Sequence, residues 1–290
     1  MTTGDDAPLR PIDWVSLAAP GLIWGSSFFL IAEGLESFHP AFIGWLRILF
    51  GLTVLTMFPA ARRPIAPAAR RRLGVLAFVW MGAPLTLFAF AQERISSSLA
   101  GMLNTLNPVL TVVVGFLVFH RRASIGRVLG VVIGTVGGVL IAFPSLGEGT
   151  SSTVGLLLAF AALCCYGFAL NIAGPLQQEV GAIPVVHRAL AGAALMAAPT
   201  GLWGFSQSSF SWSSLAAIAV LGAVGTGFAY AWMAWNAGRL GGTRASTTNY
   251  VIPVVSIILG VGVRGETVAA VALAGTVVTI LGAWQVNRSL

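Results

Sequence analysis

Residues 97–119 read SSLAGMLNTLNPVLTVVVGFLVF, and residues 242–264 read GTRASTTNYVIPVVSIILGVGVR. In the first stretch Ser97, Gly101, Asn104, Pro108 and Thr111 fall at intervals of four, three, four and three. Gly242, Ser246, Asn249, Pro253 and Ser256 repeat those intervals in the second. The spacing puts five small or polar residues on one face of an otherwise apolar helix. Each run is long enough to cross a bilayer, for which about 20 apolar residues are needed. Exposing Asn to hydrocarbon is costly, so both stripes should face inward. Two inward uses stay open: helix–helix packing, where Gly, Ser and Thr are common, and the lining of a cavity. Asn104 and Asn249 favour the cavity, because an amide at membrane depth needs a polar partner or water. Pro108 and Pro253 each remove an internal hydrogen bond, which makes them hinge positions.

Outward from these stretches the likeness continues. Gly115, Gly130 and Gly137 recur 145 positions later as Gly260, Gly275 and Gly282, and Trp24-Gly25 matches Tyr166-Gly167 at 142. Gaps of Arg, Glu, Pro-Gly and Ser divide the chain into ten apolar runs: Trp14–Leu35, Ala41–Pro59, Leu73–Ala91, Ser97–Phe119, Ser124–Phe143, Val154–Gly174, Val185–Phe205, Ser214–Asn236, Thr243–Val263 and Thr267–Val286. The runs lack period-two alternation and are too long for barrel strands. Five spans per half is an odd number, so the second half crosses in the opposite sense. The expected fold class is an all-α membrane protein, ten transmembrane helices arranged as two five-helix inverted-topology repeats around a central cavity. The repeats would be residues 1–143 and 154–290, with PSLGEGTSST at 144–153 as a flexible linker.

Composition agrees. The 290 residues are 57% apolar and 9% charged, against roughly a quarter charged in soluble domains. The expected surroundings are a lipid bilayer. All 16 basic residues are Arg, and they lie in short gaps between apolar runs rather than along one polar face, so nucleic acid is not an expected partner. With the N-terminus inside, thirteen arginines fall on the inner side, Arg94 and Arg264 fall outside, and Arg47 lies within a span. That bias places both termini in the cytoplasm. The absence of Lys points to GC-rich coding and a bacterial source, hence a multi-pass protein of the inner membrane. Cys164 and Cys165 are adjacent on a helix and cannot share a tetrahedral metal site. Gly260–Gly265 fits a dinucleotide fingerprint only by letter, with no βαβ unit around it. No metal and no cofactor is expected.

Several interior residues suit an amphipathic organic solute. Trp24 lies near the midplane of the first span, followed by Ser26 and Ser27. Tyr166 and Asn171 occupy the matching sixth span. Trp80, Pro84 and Phe88 form an aromatic face on the third, and Tyr230 and Trp232 lie on the eighth. Core packing is an equal alternative for Trp80 and Trp232. Arg47 sits roughly 9 Å below the outer end of its span, and an ion pair with Glu33 or Glu36, structural or gating, is favoured over direct solute contact. No Asp or Glu lies near a midplane, which points to facilitated diffusion or to coupling through a rim residue such as Glu33, Glu93 or Glu266. The glycine-rich fifth and tenth spans read as scaffolding and as the place for a homodimer contact.

In order and double occurrence, these residues resemble the drug/metabolite transporter superfamily, specifically its EamA-type ten-helix members. The resemblance is carried by Trp24-Gly25-Ser26-Ser27-Phe28, Pro40, Arg47, and Asn107-Pro108-Val109 with Gly130 and Gly137. In the second half it is carried by Tyr250-Val251-Ile252-Pro253-Val254, Gly265-Glu266, Gly275 and Gly282. One departure is His120-Arg121, where members usually carry Glu-Arg. The resemblance implies a metabolite or drug exporter with a cavity formed by spans one to four and six to nine, most similar to the YddG-type amino-acid exporters, whose solutes include aromatic amino acids. An intramembrane enzyme would need acid or base groups converging at one depth, and the spans offer none. A non-transporting partner subunit is the remaining alternative.

Overall fold

The computed structural model describes residues 10–146 and 149–288, except the side chains of residues 151, 242 and 243. Among the described residues there is no strand. Ten membrane-scale helices follow in order: α1 Pro11–Leu35, α2 Pro40–Thr56, α3 Pro67–Gln92, α4 Ser97–Leu117, α5 Ile125–Leu146, α6 Thr150–Val180, α7 Ala182–Ser206, α8 Trp212–Leu240, α9 Ser246–Gly262 and α10 Ala270–Arg288. Eight are long and apolar enough to cross a membrane, and α2 and α9 are shorter apolar helices. Their order and bounds follow the ten apolar runs to within a few residues, so the all-α ten-helix expectation holds.

Local chemistry sets the ends. Pro40 opens α2 behind His39, whose Nδ1 accepts from the Ala41 amide at 3.2 Å. Ser96 caps α4, accepting from the Leu99 amide at 3.2 Å. Gly181 (φ 100°) and Gly241 (φ 90°) supply the left-handed turns that separate α6 from α7 and close α8. The linker expectation needs correction. Helix α5 runs through Pro144 to Leu146 and α6 begins at Thr150, so helix takes in most of 144–153, while Gly147 and Glu148 lie outside the described residues.

Four helices are interrupted. In α3 and α8 the segments Ala77–Gly82 and Ala223–Phe228 widen to π-helix. In α4 and α9 the segments Asn104–Leu106 and Ser246–Tyr250 tighten to 3₁₀. Pro108 and Pro253 are each the second residue of the α-helical segment that follows, Asn107–Leu117 and Ile252–Gly262. Three of the four breaks carry residues that line a cavity, Trp80, Asn104 and Asn249, and irregular backbone at membrane depth is tolerated where it is buried in protein or borders such a space.

Helices α5 and α10 stand apart from that cavity and pack on each other through glycine. A Cβ on Gly130 would come within 2.8 Å of Gly282 O, and one on Gly275 within 2.7 Å of Gly137 O. Their other faces are bare: Val132, Val136, Val277 and Leu281 are exposed. Such a surface is stable against lipid or another apolar protein face rather than water.

Candidate functional site

The remaining eight helices, α1–α4 and α6–α9, surround one cavity of about 270 Å³. It is mainly apolar and aromatic. Trp24 on α1 and Trp80 on α3 both meet the Tyr230 ring of α8 edge-on, at centroid distances of 5.4 and 5.6 Å. Phe28 meets Phe88 at 5.5 Å, and Phe88 stacks on Tyr166 at 6.2 Å. The cavity extends along Tyr166, Leu170 and Gln177 of α6 to Ala182 at the start of α7 and Ala237 near the end of α8. It therefore opens toward the arginine-rich face, where the described chain begins and ends.

The π segment of α8 positions two of the lining residues. A π turn leaves carbonyls without their usual partners. Gly225 O accepts the Trp24 indole N–H at 3.0 Å, which holds α1 against α8. Next to it, Thr226 Oγ1 accepts from Arg47 Nε at 2.8 Å. Asn104 and Asn249 come from the 3₁₀ segments of α4 and α9, both half-buried in the lining. Neither side-chain amide has a hydrogen-bond partner among the described residues, so both remain available to a solute.

Of the residues singled out from sequence, Trp24, Ser27, Trp80, Asn104, Tyr166, Tyr230 and Asn249 all line this cavity. Ser27 donates to the Ile23 carbonyl at 3.2 Å and so presents acceptor capacity only. Two expectations are corrected. Asn171 does not reach the cavity: its Nδ2 donates to Thr111 O and Gly167 O, both at 2.9 Å, binding α6 to α4. Helical geometry explains this, because residues five apart point roughly 140° from each other. Tyr166 and Asn171 cannot share a face, whereas Leu170 can and does. The expected Arg47–Glu33 pair is also absent. Glu33 is bound by Arg264, which reaches Glu36 as well at 2.8 Å, while Arg47 turns into the cavity toward α8. Asn107, whose Oδ1 has no partner, was not singled out from sequence as lining, although its place three residues after Asn104 puts it close to the same face.

At the other face the cavity is closed. Hydrogen bonding to Glu36 and Glu33 raises the Arg264 pKa, outweighing its partial burial. Glu266 receives four hydrogen bonds at the start of α4: Ser97 N and Oγ at 2.9 and 2.7 Å, and Ser98 N and Oγ at 2.9 and 2.6 Å. Burial pushes its pKa up, but the bonds from Ser98 and Ser97 outweigh that and hold it below the usual carboxylate value. Above this closure lies a polar hollow of about 680 Å³ lined by Glu36, His39, Gln92 and Arg264.

The EamA-like transporter family model matches the chain twice, over residues 14–143 and 153–288. The uncharacterized transporter YdfC of Bacillus subtilis is 25% identical over 264 residues, covering 90% of this chain and 86% of that one. The uncharacterized inner membrane transporter YedA of Escherichia coli K12 is 25% identical over 272 residues, covering 88% and 84%. A solved crystal structure superposes with a TM-score of 0.62 over 96% of each chain at 18% identity, a likeness of fold. Ten apolar helices, eight of them around a central cavity, with the family pattern in both halves, make this chain a multi-pass membrane transporter that belongs to the EamA-like transporter family.

Proposed function

We propose that the protein exports small amphipathic metabolites, with amino acids, aromatic ones included, as the best-fitting class. The observation that carries this reading is the pair of unpartnered amides, Asn104 and Asn249, one from each half, in the lining of a cavity walled by Trp24, Trp80, Tyr166 and Tyr230. Amides supply orientation, and ring faces accommodate an apolar side chain. A volume near 270 Å³ suits an amino acid better than a drug-sized molecule. The alternative of a cationic-drug exporter is disfavoured by the lining itself, whose one ionised side chain among the described residues is the cation Arg47. A partner subunit without transport of its own has no use for such a cavity.

The mechanism we propose is alternating access between inverted repeats, residues 1–143 and 154–290. The matched positions of the π and 3₁₀ breaks in the two halves support it. The thirteen-to-two bias of arginines supports a bacterial inner-membrane location with both termini cytoplasmic. A homodimer contact through α5 and α10 would use their outward Val and Leu faces, since their glycine faces are occupied by each other.

Counterflow in proteoliposomes tests the reading. Liposomes preloaded with unlabelled phenylalanine, threonine or methionine should take up the labelled compound without an imposed proton gradient. Asn104→Leu or Asn249→Leu should reduce uptake at least about tenfold, the effect of losing a hydrogen bond that fixes the solute, while leaving the protein monodisperse. Undiminished uptake in both variants would remove these amides from the site.

A further inference from the structure

We infer that Arg47 is the anion-binding residue of the cavity, and that the group a solute must carry is a carboxylate rather than an amine. This rests on the transport reading above and narrows it. Arg47 lies seven residues into α2 and is 7% exposed. A guanidinium does not lose its charge in a protein, so a full cation stands in the wall of the cavity. A cation so placed normally has a carboxylate partner. Arg47 has none among the described residues: the acids nearest the ends of α1 and α9 are taken, Glu33 and Glu36 by Arg264 and Glu266 by Ser97 and Ser98.

Its one side-chain hydrogen bond, from Nε to Thr226 Oγ1, fixes the plane of the guanidinium and leaves the two terminal nitrogens for a ligand. Those two form the end-on fork that matches both oxygens of one carboxylate. A bound anion would relieve the cost of an uncompensated buried charge, so affinity for anions is built in. The amine has no counterpart of this kind. Among the described residues no Asp or Glu lines the cavity, and the ring faces of Trp24, Trp80 and Tyr230 offer an ammonium only the weaker cation–π attraction. A solute with a carboxylate and no amine should therefore be accepted, and one with an amine and no carboxylate refused.

Four compounds sharing a phenyl group separate these demands: phenylalanine, 3-phenylpropionate, phenethylamine and phenylalanine amide. Thermal unfolding of the purified protein in detergent reads binding, and counterflow in proteoliposomes reads transport. Phenylalanine and 3-phenylpropionate should stabilise the protein within a few-fold of one another in affinity, and the two amines should not. Arg47→Gln should weaken the carboxylates roughly tenfold to a hundredfold, the range for a charge-assisted hydrogen bond. Thr226→Val, which keeps the charge but frees it, should weaken them less, and it carries the test if Arg47→Gln does not fold. Stabilisation by phenethylamine equal to that by 3-phenylpropionate, or carboxylate affinity unchanged in both variants, overturns the assignment. Carboxylate-specific stabilisation without counterflow leaves Arg47 standing and sinks the export reading. Counterflow of either amine at the phenylalanine rate does the reverse.

Discussion

At the scale of single residues, the closed face depends most on Glu266. Its carboxylate caps the first turn of α4, where four orphan amides and the positive end of the helix dipole favour an anion. Both oxygens are used, each by one backbone amide and one hydroxyl of Ser97 or Ser98. Burial works against the charge, and the hydrogen bonds win, so the folded pKa lies below the ordinary 4.5. A depressed carboxylate contributes stability that is fully present above its ordinary pKa and is lost as pH falls through the depressed value. Acid below about pH 4.5 should thus loosen the α4–α9 contact, visible as faster hydrogen exchange of the Ser97 and Ser98 amides. Glu266→Gln should loosen it at neutral pH, costing ~1–2 kcal/mol for a lost cap and charge–dipole attraction. Exchange at those amides that stays slow in Glu266→Gln would mean that the closure rests elsewhere, with Arg264 and its two glutamates as the next element to remove.

At the scale of elements, helices divide into those that line the cavity and the pair that braces it. A Cβ on Gly137 would fall within 2.6 Å of Gly275 O and also meet Thr279 at its amide nitrogen and hydroxyl, so that backbone stands among the obstacles. Gly137→Leu should push α10 away from α5 and destabilise the protein by ~1–3 kcal/mol, the usual cost of overpacking. Val136→Leu, one residue along on the bare face, should leave the unfolding temperature unchanged. Equal midpoints for the two variants would show that the glycine contact carries no stability. Much of this level is legible in sequence, because a bilayer demands apolar runs of one length and close helix contacts demand small residues. The stripe that placed Asn104 and Asn249 in the cavity is legible for the same reason. What sequence conceals is rotation about helix axes and local widening. The π turn at Ala223–Phe228 has no proline to announce it, yet it delivers Gly225 to Trp24 and Thr226 to Arg47. Without that turn in view, Arg47 reads as a partner for the nearest glutamate, and Asn171 reads as facing the same way as Tyr166.

At the scale of the whole molecule, the two halves carry the same joint with opposite charge. After α9, Gly265 takes a left-handed conformation at φ 67° and the Glu266 amide donates to Gly260 O at 3.0 Å. After α4, His120 is left-handed at φ 52° and the Arg121 amide donates to Gly115 O at 3.0 Å. Arg121 is therefore the structural counterpart of Glu266. In the present conformation Glu266 seals one face by capping α4, and Arg121 instead reaches the Asn171 carbonyl at 3.2 Å. Exchange of the halves' conformations would seal the arginine-rich face by bringing position 121 to the helical turn Gly242–Ala245 that precedes α9, where Gly242 and Thr243 correspond to Ser97 and Ser98. An arginine there has no acceptor for helix amides and carries the wrong sign for the dipole. Under the proposed alternating access the two seals would be unequal, which would bias the population toward the conformation with the cavity open to the arginine-rich face. Arg121→Glu should shift that balance by restoring a cap to the weaker seal. With Cys164 and Cys165 replaced by serine and a single cysteine at Ala237 in the cavity mouth, a membrane-impermeant maleimide reads the shift. Arg121→Glu should shift the open-to-closed equilibrium by roughly fivefold to thirtyfold, as expected for ~1–2 kcal/mol, and slow labelling from the arginine-rich face in proportion to the fall in the open fraction. Adding Glu266→Gln should slow it further, since that substitution weakens the competing seal. Labelling unchanged by both substitutions would mean that the two joints do not set the balance, and that the asymmetry lies in the helices of the cavity wall.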